Sequence, residues 1–170
     1  MTFILISIQT ICKQIMADTS LFENNIGLLV WKTSNYWQSR LRKILKLYKL
    51  SLNEYLILKS IYILSLKKKD IYQIEISEFV GVNISVASVI FKLLEKKQYI
   101  SRIIVEDNRK KIIKMKDKGS KLFLIIDPLI EKEENIVFNK LNNETINFIN
   151  SLRLLLGKKI RIKVKYNEEN

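Results

Sequence analysis

The stretch Ile76–Ile100, ISEFVGVNISVASVIFKLLEKKQYI, decides how the chain folds. Gly81 ends a short helix that begins near Gln73, because only glycine takes the left-handed cap conformation without penalty. Asn83 can cap a new helix running to about Lys97. Two helices joined by about three residues that include a glycine form a helix-turn-helix signature. The first helix is expected to bury Ile74, Phe79 and Ile76. At about 100° per residue, the second sends Val86, Ala87, Ile90, Leu93 and Leu94 to one side and Ile84, Ser85, Ser88, Val89, Lys92 and Lys96 to the other. That outward side is small and uncrowded, as a helix entering a major groove requires. From it, and from Asn83 at its head, serine hydroxyls can meet phosphates or base edges and Ile84 or Val89 a thymine methyl, which predicts a reader of A·T-rich sequence. Taken alone, an ordinary surface helix that carries two serines is the equal alternative.

Immediately downstream, Ile100–Val105 is rich in β-branched residues and Lys111–Met115 answers it across EDNRK, so a hairpin is expected. A hairpin directly after a helix-turn-helix is a wing. Arg109 at its tip can enter a narrow minor groove, while Arg102, Lys110 and Lys111 face phosphates. Asp107 is expected to act internally, capping the turn and holding Arg109 by a charge-assisted bond. A solvated turn with an incidental Asp-x-Arg is the other reading.

Upstream, Ile71–Tyr72 reads as a short strand and Ser51-Leu-Asn-Glu54 as a capping box that opens a helix from Leu52 to about Leu66. Apolar residues recurring at three and four from Ile26 to Tyr48 predict a long amphipathic helix. Beyond the wing, Asp117 to about Asn139 reads as another long helix, which Pro128 is expected to kink or divide. Asn143 to Leu156 is the last helix, with Gly157 as its stop. The expected fold is mainly α with a small β-wing: a winged helix-turn-helix plus a helical dimerisation domain. The expected division is an N-terminal extension (1–24), a first dimerisation helix (25–50), the winged helix-turn-helix (51–116), C-terminal dimerisation helices (117–157) and a basic tail (158–170), read as disorder or a loose edge strand.

Composition narrows the function. The chain has 170 residues, 30 basic and 17 acidic side chains and a net charge of +13, an argument for a polyanionic partner. Enrichment in Ile, Lys and Asn with only two alanines also suggests AT-rich coding, so the distribution of charge decides. Residues 92–121 hold 11 basic against 4 acidic groups, over half of the net charge in thirty residues. Drift in composition would spread it evenly. Histidine is absent, which removes the commonest general base and every zinc site that needs imidazole. The lone Cys12 forms no intrachain disulfide, and a reducing cytoplasmic interior is the natural compartment. The apolar start, MTFILISIQTICKQIM, lacks a basic n-region and is interrupted by Gln9, Lys13 and Gln14, so neither a signal nor a membrane anchor is expected. Residues 1–20 read as a short amphipathic helix or as a stretch upstream of a start at Met16. No cofactor and no metal are expected. Glu75 with Glu78, and Glu131 with Glu134, share helix faces but come without ligating histidines or a phosphate loop, so an enzyme is not expected.

With these elements in order, the chain resembles the MarR (multiple-antibiotic-resistance regulator) family of winged-helix transcription factors over about residues 25 to 157. The resemblance rests on IGLLVWKTSNYWQSRLRKIL, LSLNEYLIL, the stretch Ile76–Ile100 and above all DNRKKIIKMKDKG, an Asp-x-Arg followed by a strand and then a glycine in the next helix. It implies a homodimer whose first and last helices interlock, each copy presenting a winged helix to half of a palindromic site, the halves about 34 Å apart. The apolar surface of the three long helices supports this independently. The resemblance also implies release of DNA by a small aromatic effector, in a cleft that Trp31, Tyr36, Trp37, Tyr55 and Tyr62 could line; ordinary packing is the competing account of these aromatics. Peroxide-sensing relatives place a cysteine near the start of the first long helix, where this chain has Asn25-Ile26-Gly27, so thiol sensing is not expected. Three positions depart from the family: Val89 where a basic residue is frequent, Gln98 where a glycine usually ends the reading helix, and Lys116 where a threonine commonly precedes the next one. The leading expectation is a sequence-specific regulator of transcription, a repressor. Alternatives are an architectural or replication-associated winged helix with little sequence choice, or a protein-interaction module.

Overall fold

The computed structural model describes residues 25–104 and 111–158. The readings placed on residues 1–24, on Asp107, Arg109 and Lys110 at the wing tip, and on the tail beyond residue 158 lie outside the described residues. The elements run α1 (Ile26–Leu47), α2 (Leu52–Ser65), β1 (Ile71–Tyr72), α3 (Gln73–Val80), α4 (Ile84–Lys96), β2 (Ile100–Ile104), β3 (Lys111–Met115), α5 (Asp117–Phe138), a 3-10 segment (Asn139–Glu144) and α6 (Thr145–Leu155). Among the described residues no single helix is long and apolar enough to cross a membrane.

Helix α2 is the centre of the molecule because its sequence is apolar on nearly every side. Leu52, Tyr55, Ile57, Leu58 and Ile61 are all buried, and the helix packs against α1, α3, α4, α5 and both β1 and β3. The sheet is antiparallel with β3 between β1 and β2. Ile113 pairs with Ile71 on one side and with Arg102 on the other, and Ile100 pairs with Met115. The winged helix-turn-helix fold is therefore present, with three strands.

Burial on α3 and α4 differs from the expected pattern. Helix α3 turns Ile76 and Ser77 inward, whereas Ile74 and Phe79 are 56% and 51% exposed. At 3.6 residues per turn, Ile74 falls opposite Ile76 and only one of the two can face α2. Ser77 is accommodated because its hydroxyl donates to the Gln73 carbonyl at 2.9 Å. On α4 the inward stripe is Ala87, Ile90, Phe91 and Leu94, spaced three, one and three. Val86 and Leu93 each stand one residue before a member of that stripe, and so lie on its flank, exposed.

Pro128 does not divide α5, which runs unbroken from Asp117 to Phe138. Proline removes one donor from the ladder. The helix is held on both sides of it, by burial of Phe123, Ile126 and Ile130 and by Asp127, which accepts from the Tyr55 hydroxyl at 2.7 Å. The last helix starts later than expected, at Thr145, because Asn142 takes a non-helical φ of 45°.

One junction is strict. Tyr99, just after the end of α4, directs its carbonyl at the first turn of α5, where the Lys116 N–H donates to it at 2.9 Å. A Cβ on Gly119 would lie 2.2 Å from that oxygen, so no other residue fits without moving the backbone. The turn before it is less well matched: Gln98 occupies the left-handed region with φ 66°. We expect Gly119→Ala to lower the thermal midpoint strongly. Gln98→Gly should stabilise by about 0.5–1 kcal/mol, since relief of left-handed strain outweighs glycine's extra chain entropy. Paired thermal and urea unfolding of the two variants checks both signs.

Candidate nucleic-acid interface

Local sequence builds the reading unit. Gly81 (φ 76°) closes α3, donating to the Ser77 carbonyl at 2.9 Å, and Val82 donates to the same oxygen at 3.0 Å. Asn83 then caps α4 by accepting from the Ser85 N–H at 2.9 Å. With α4 seated on α2 and α3 through Ala87, Phe91 and Leu94, its remaining arc is open. Asn83, Ile84, Ser85, Val89 and Lys92 are exposed and share that arc, and Ser88 is half-buried at its edge. Val86 and Leu93 belong to it as well, which sequence reasoning missed by counting them inward.

The far end of α4 is fixed by an ion pair. Lys97 Nζ donates to Glu54 Oε1 at 2.6 Å and to the Lys49 carbonyl at 2.9 Å. Glu54 is buried, and its other oxygen accepts from the Ser51 N–H at 2.8 Å, the capping box read from sequence. The box was legible from four consecutive residues; its cation, 43 positions away, was not.

Arg102 is not free to meet a phosphate in this structure. It is part-buried, and its Nε and Nη2 both donate to Glu95 Oε2, the former at 2.7 Å. The Arg102 guanidinium in turn holds the Glu95 carboxyl below its ordinary value of 4.5. Lys111 starts β3 opposite Ile104, where the described part of the hairpin ends. Lys114, Lys116 and Lys118 are exposed nearby. At the start of α3, Lys68 and the Tyr72 N–H bind Glu75 and lower its pKa likewise.

The five aromatics do not converge. Tyr55 is buried, its hydroxyl committed to Asp127 and its pKa pushed far up by burial and that carboxylate. Tyr62 leans on Phe123 with ring centroids 4.8 Å apart and lines a cavity of about 310 Å³ between α2, the sheet and the start of α5. Trp37 belongs elsewhere: its Nε1 donates to Glu134 at 3.1 Å, and it borders an apolar groove of about 320 Å³ between α1 and α6. Trp31 is 65% exposed, and Tyr36 stands at the surface beneath Arg40 and Lys140.

Residues 50–112 match the model of the MarR family. The chain is 25% identical over 131 residues to YdcH, an uncharacterized HTH-type transcriptional regulator of Bacillus subtilis (strain 168), covering 76% of this chain and 88% of that protein. Among solved structures, Bordetella bronchiseptica BpsR, described for regulation of its DNA binding by 6-hydroxynicotinic acid, superposes with a TM-score of 0.69 at 14% identity, covering 82% of this chain and 97% of that one. A mutant MarR from E. coli complexed with operator DNA gives 0.67 at 15% identity over 78% and 94% of the two chains. CouR from Rhodococcus jostii bound to p-coumaroyl-CoA gives 0.67 at 15% identity over 83% and 97%. At these identities the structural likenesses establish the fold.

Two measurements test the local electrostatics. Lys97→Met strands the buried Glu54 carboxylate and should cost about 1–3 kcal/mol in urea unfolding with an unchanged m-value. Glu95 has a depressed folded pKa, so its stabilisation is present above the unfolded value and is lost as pH falls through the folded one. The stability gap between the native protein and Glu95→Gln should therefore be full above pH 4.5 and close below it. A gap that widens in acid would reverse the assignment.

Proposed function

We propose that the chain is a winged helix-turn-helix transcription regulator of the MarR family, whose model residues 50–112 match, and that it works in the cytoplasm as a homodimeric repressor bound to a palindromic operator in double-stranded DNA. The observation that carries this reading is the open arc of α4, which holds Lys92 and no carboxylate from residue 84 to 93 and stands beside a basic hairpin. In the proposed complex α4 lies in the major groove. Asn83, Ile84, Ser85, Ser88, Val89 and Lys92 meet bases or phosphates. The wing, residues 105–112, reaches the minor groove through Arg109, with Asp107 orienting it and Lys110 and Lys111 on the backbone. Arg102 joins them only by leaving Glu95.

The dimer is proposed from uncovered apolar surface. Helix α6 buries no residue, while Ile146, Ile149, Leu152, Leu154 and Leu155 stand exposed on it and Ile26, Leu29 and Val30 stand exposed on α1. Surface of this extent is what a partner copy covers. The division follows: residues 25–50 and 117–157 dimerise, 51–116 read DNA, and 1–24 and 158–170 are appendages. A small aromatic effector is proposed for the cavity beside Tyr62, where α2 of the reading unit meets α5; occupation there would tilt the two parts.

Sedimentation should give a dimer at micromolar concentration, and a stable monomer would count against the geometry. Arg109→Ala should weaken binding to DNA selected by the native protein by about 1–3 kcal/mol, with affinity falling steeply as salt rises. An unchanged affinity in that variant would remove the wing from the interface.

A further inference from the structure

The N-terminal half of the groove-facing arc of α4 lacks the groups with which proteins usually read purines. Bidentate recognition of guanine uses Arg or Lys, and of adenine Asn or Gln. The N-terminal half of α4, which lies nearest base edges in a helix-turn-helix, is Ile84-Ser-Val-Ala-Ser-Val89 and contains none of these. Asn83, the nearest amide, stands at the cap and already commits its oxygen to the Ser85 N–H. What the arc presents instead is hydrocarbon: Ile84 is 44% exposed, Val86 48%, Val89 58% and Leu93 45%. Val86, Val89 and Leu93 follow at i, i+3 and i+7 and form one continuous stripe.

Such a stripe could meet protein or nucleic acid, and charge decides between them. Lys92 and Lys96 flank it, no acid lies on it, and the one carboxylate of α4, Glu95, is neutralised by Arg102. A polyanion is the complementary surface. Thymine is the only base that carries a methyl group into the major groove. Resting on the DNA-binding reading above, we infer that the specificity of this protein is written in thymine C5-methyl groups packed against Val86 and Val89, with the lysines confined to phosphates. Cytosine at such a position has no methyl and turns an amino donor toward the valine, so it loses the contact and leaves a polar group dehydrated.

The test separates this inference from the reading it rests on. Duplexes retained from a random pool by the full chain are resynthesised with deoxyuridine replacing thymidine, one position at a time. Uracil keeps every hydrogen-bonding group and lacks only the methyl. At two positions in each half-site we expect about fourfold weaker binding per methyl, the equivalent of ~0.8 kcal/mol for one buried carbon group, with the salt dependence unchanged. Both valines are surface residues, so Val86→Ser and Val89→Ser should fold, and each should abolish the uracil penalty at one of those positions. Binding that is indifferent to uracil at every position, or penalties that persist in both variants, overturns the methyl reading while leaving DNA binding intact. Retention of no duplex at all overturns DNA binding itself.

Discussion

Everything in the reading unit hangs on the need to compensate one buried carboxylate. Glu54 has little water around it, and an ionised acid there is tolerable only if its oxygens are filled. One takes the Ser51 N–H and the other the Lys97 ammonium, which also caps the carbonyl of Lys49. Those partners belong to the turn after α1, the start of α2 and the end of α4. A single charge therefore fixes where the reading helix ends relative to the long helix and to the central one. Removing any partner leaves the carboxylate exposed to a low-dielectric surround, so the three segments move together or not at all. The Tyr99 carbonyl, two residues beyond Lys97, extends the same clamp to α5 by closing over Gly119.

Local chemistry in the sequence was sufficient to find these elements. Ser51 with Glu54, Gly81 and Asn83 are start and stop signals whose partners lie within a few residues, and each makes the expected bond. The two strands of the hairpin follow from β-branched residues on both sides, and they pair as antiparallel neighbours. Long-range choices were hidden. Nothing near Arg102 says that Glu95 will take it, and nothing near Pro128 says that Tyr55 and Lys59 will hold Asp127 and keep the helix whole. The size and apolar character of Ile74 and Phe79 argue for burial. Their exposure follows from an eight-residue helix having room for one inward face, which Ile76 and Ser77 occupy. For the candidate site the same division holds: its helix and its small outward residues were visible, whereas its membership on the flanks, Val86 and Leu93, depended on which side Phe91 took.

The acidic part of the chain completes the argument about charge. Residues 122–150 carry 5 acids and 2 bases, against the basic excess elsewhere. In the fold three of these acids turn toward α1 and α2: Asp127 binds Lys59 at 3.0 Å, Glu133 binds Arg40, and Glu134 accepts from Trp37. Each such pair is exposed enough to add little stability by itself. Their collective effect is on the field. They cancel cations on the faces of α1 and α2 that lie against α5, and leave Lys92, Lys96, Lys114, Lys116 and Lys118, among the described residues, as exposed positive groups around α4, the hairpin and the first turn of α5. An approaching polyanion is thus drawn to the edge of the molecule where the open arc of α4 stands. Since that pull is blind to sequence, the proposed preference among duplexes rests on shorter-range contacts, those of the uncharged run between Asn83 and Lys92 and of the wing, rather than on the net charge.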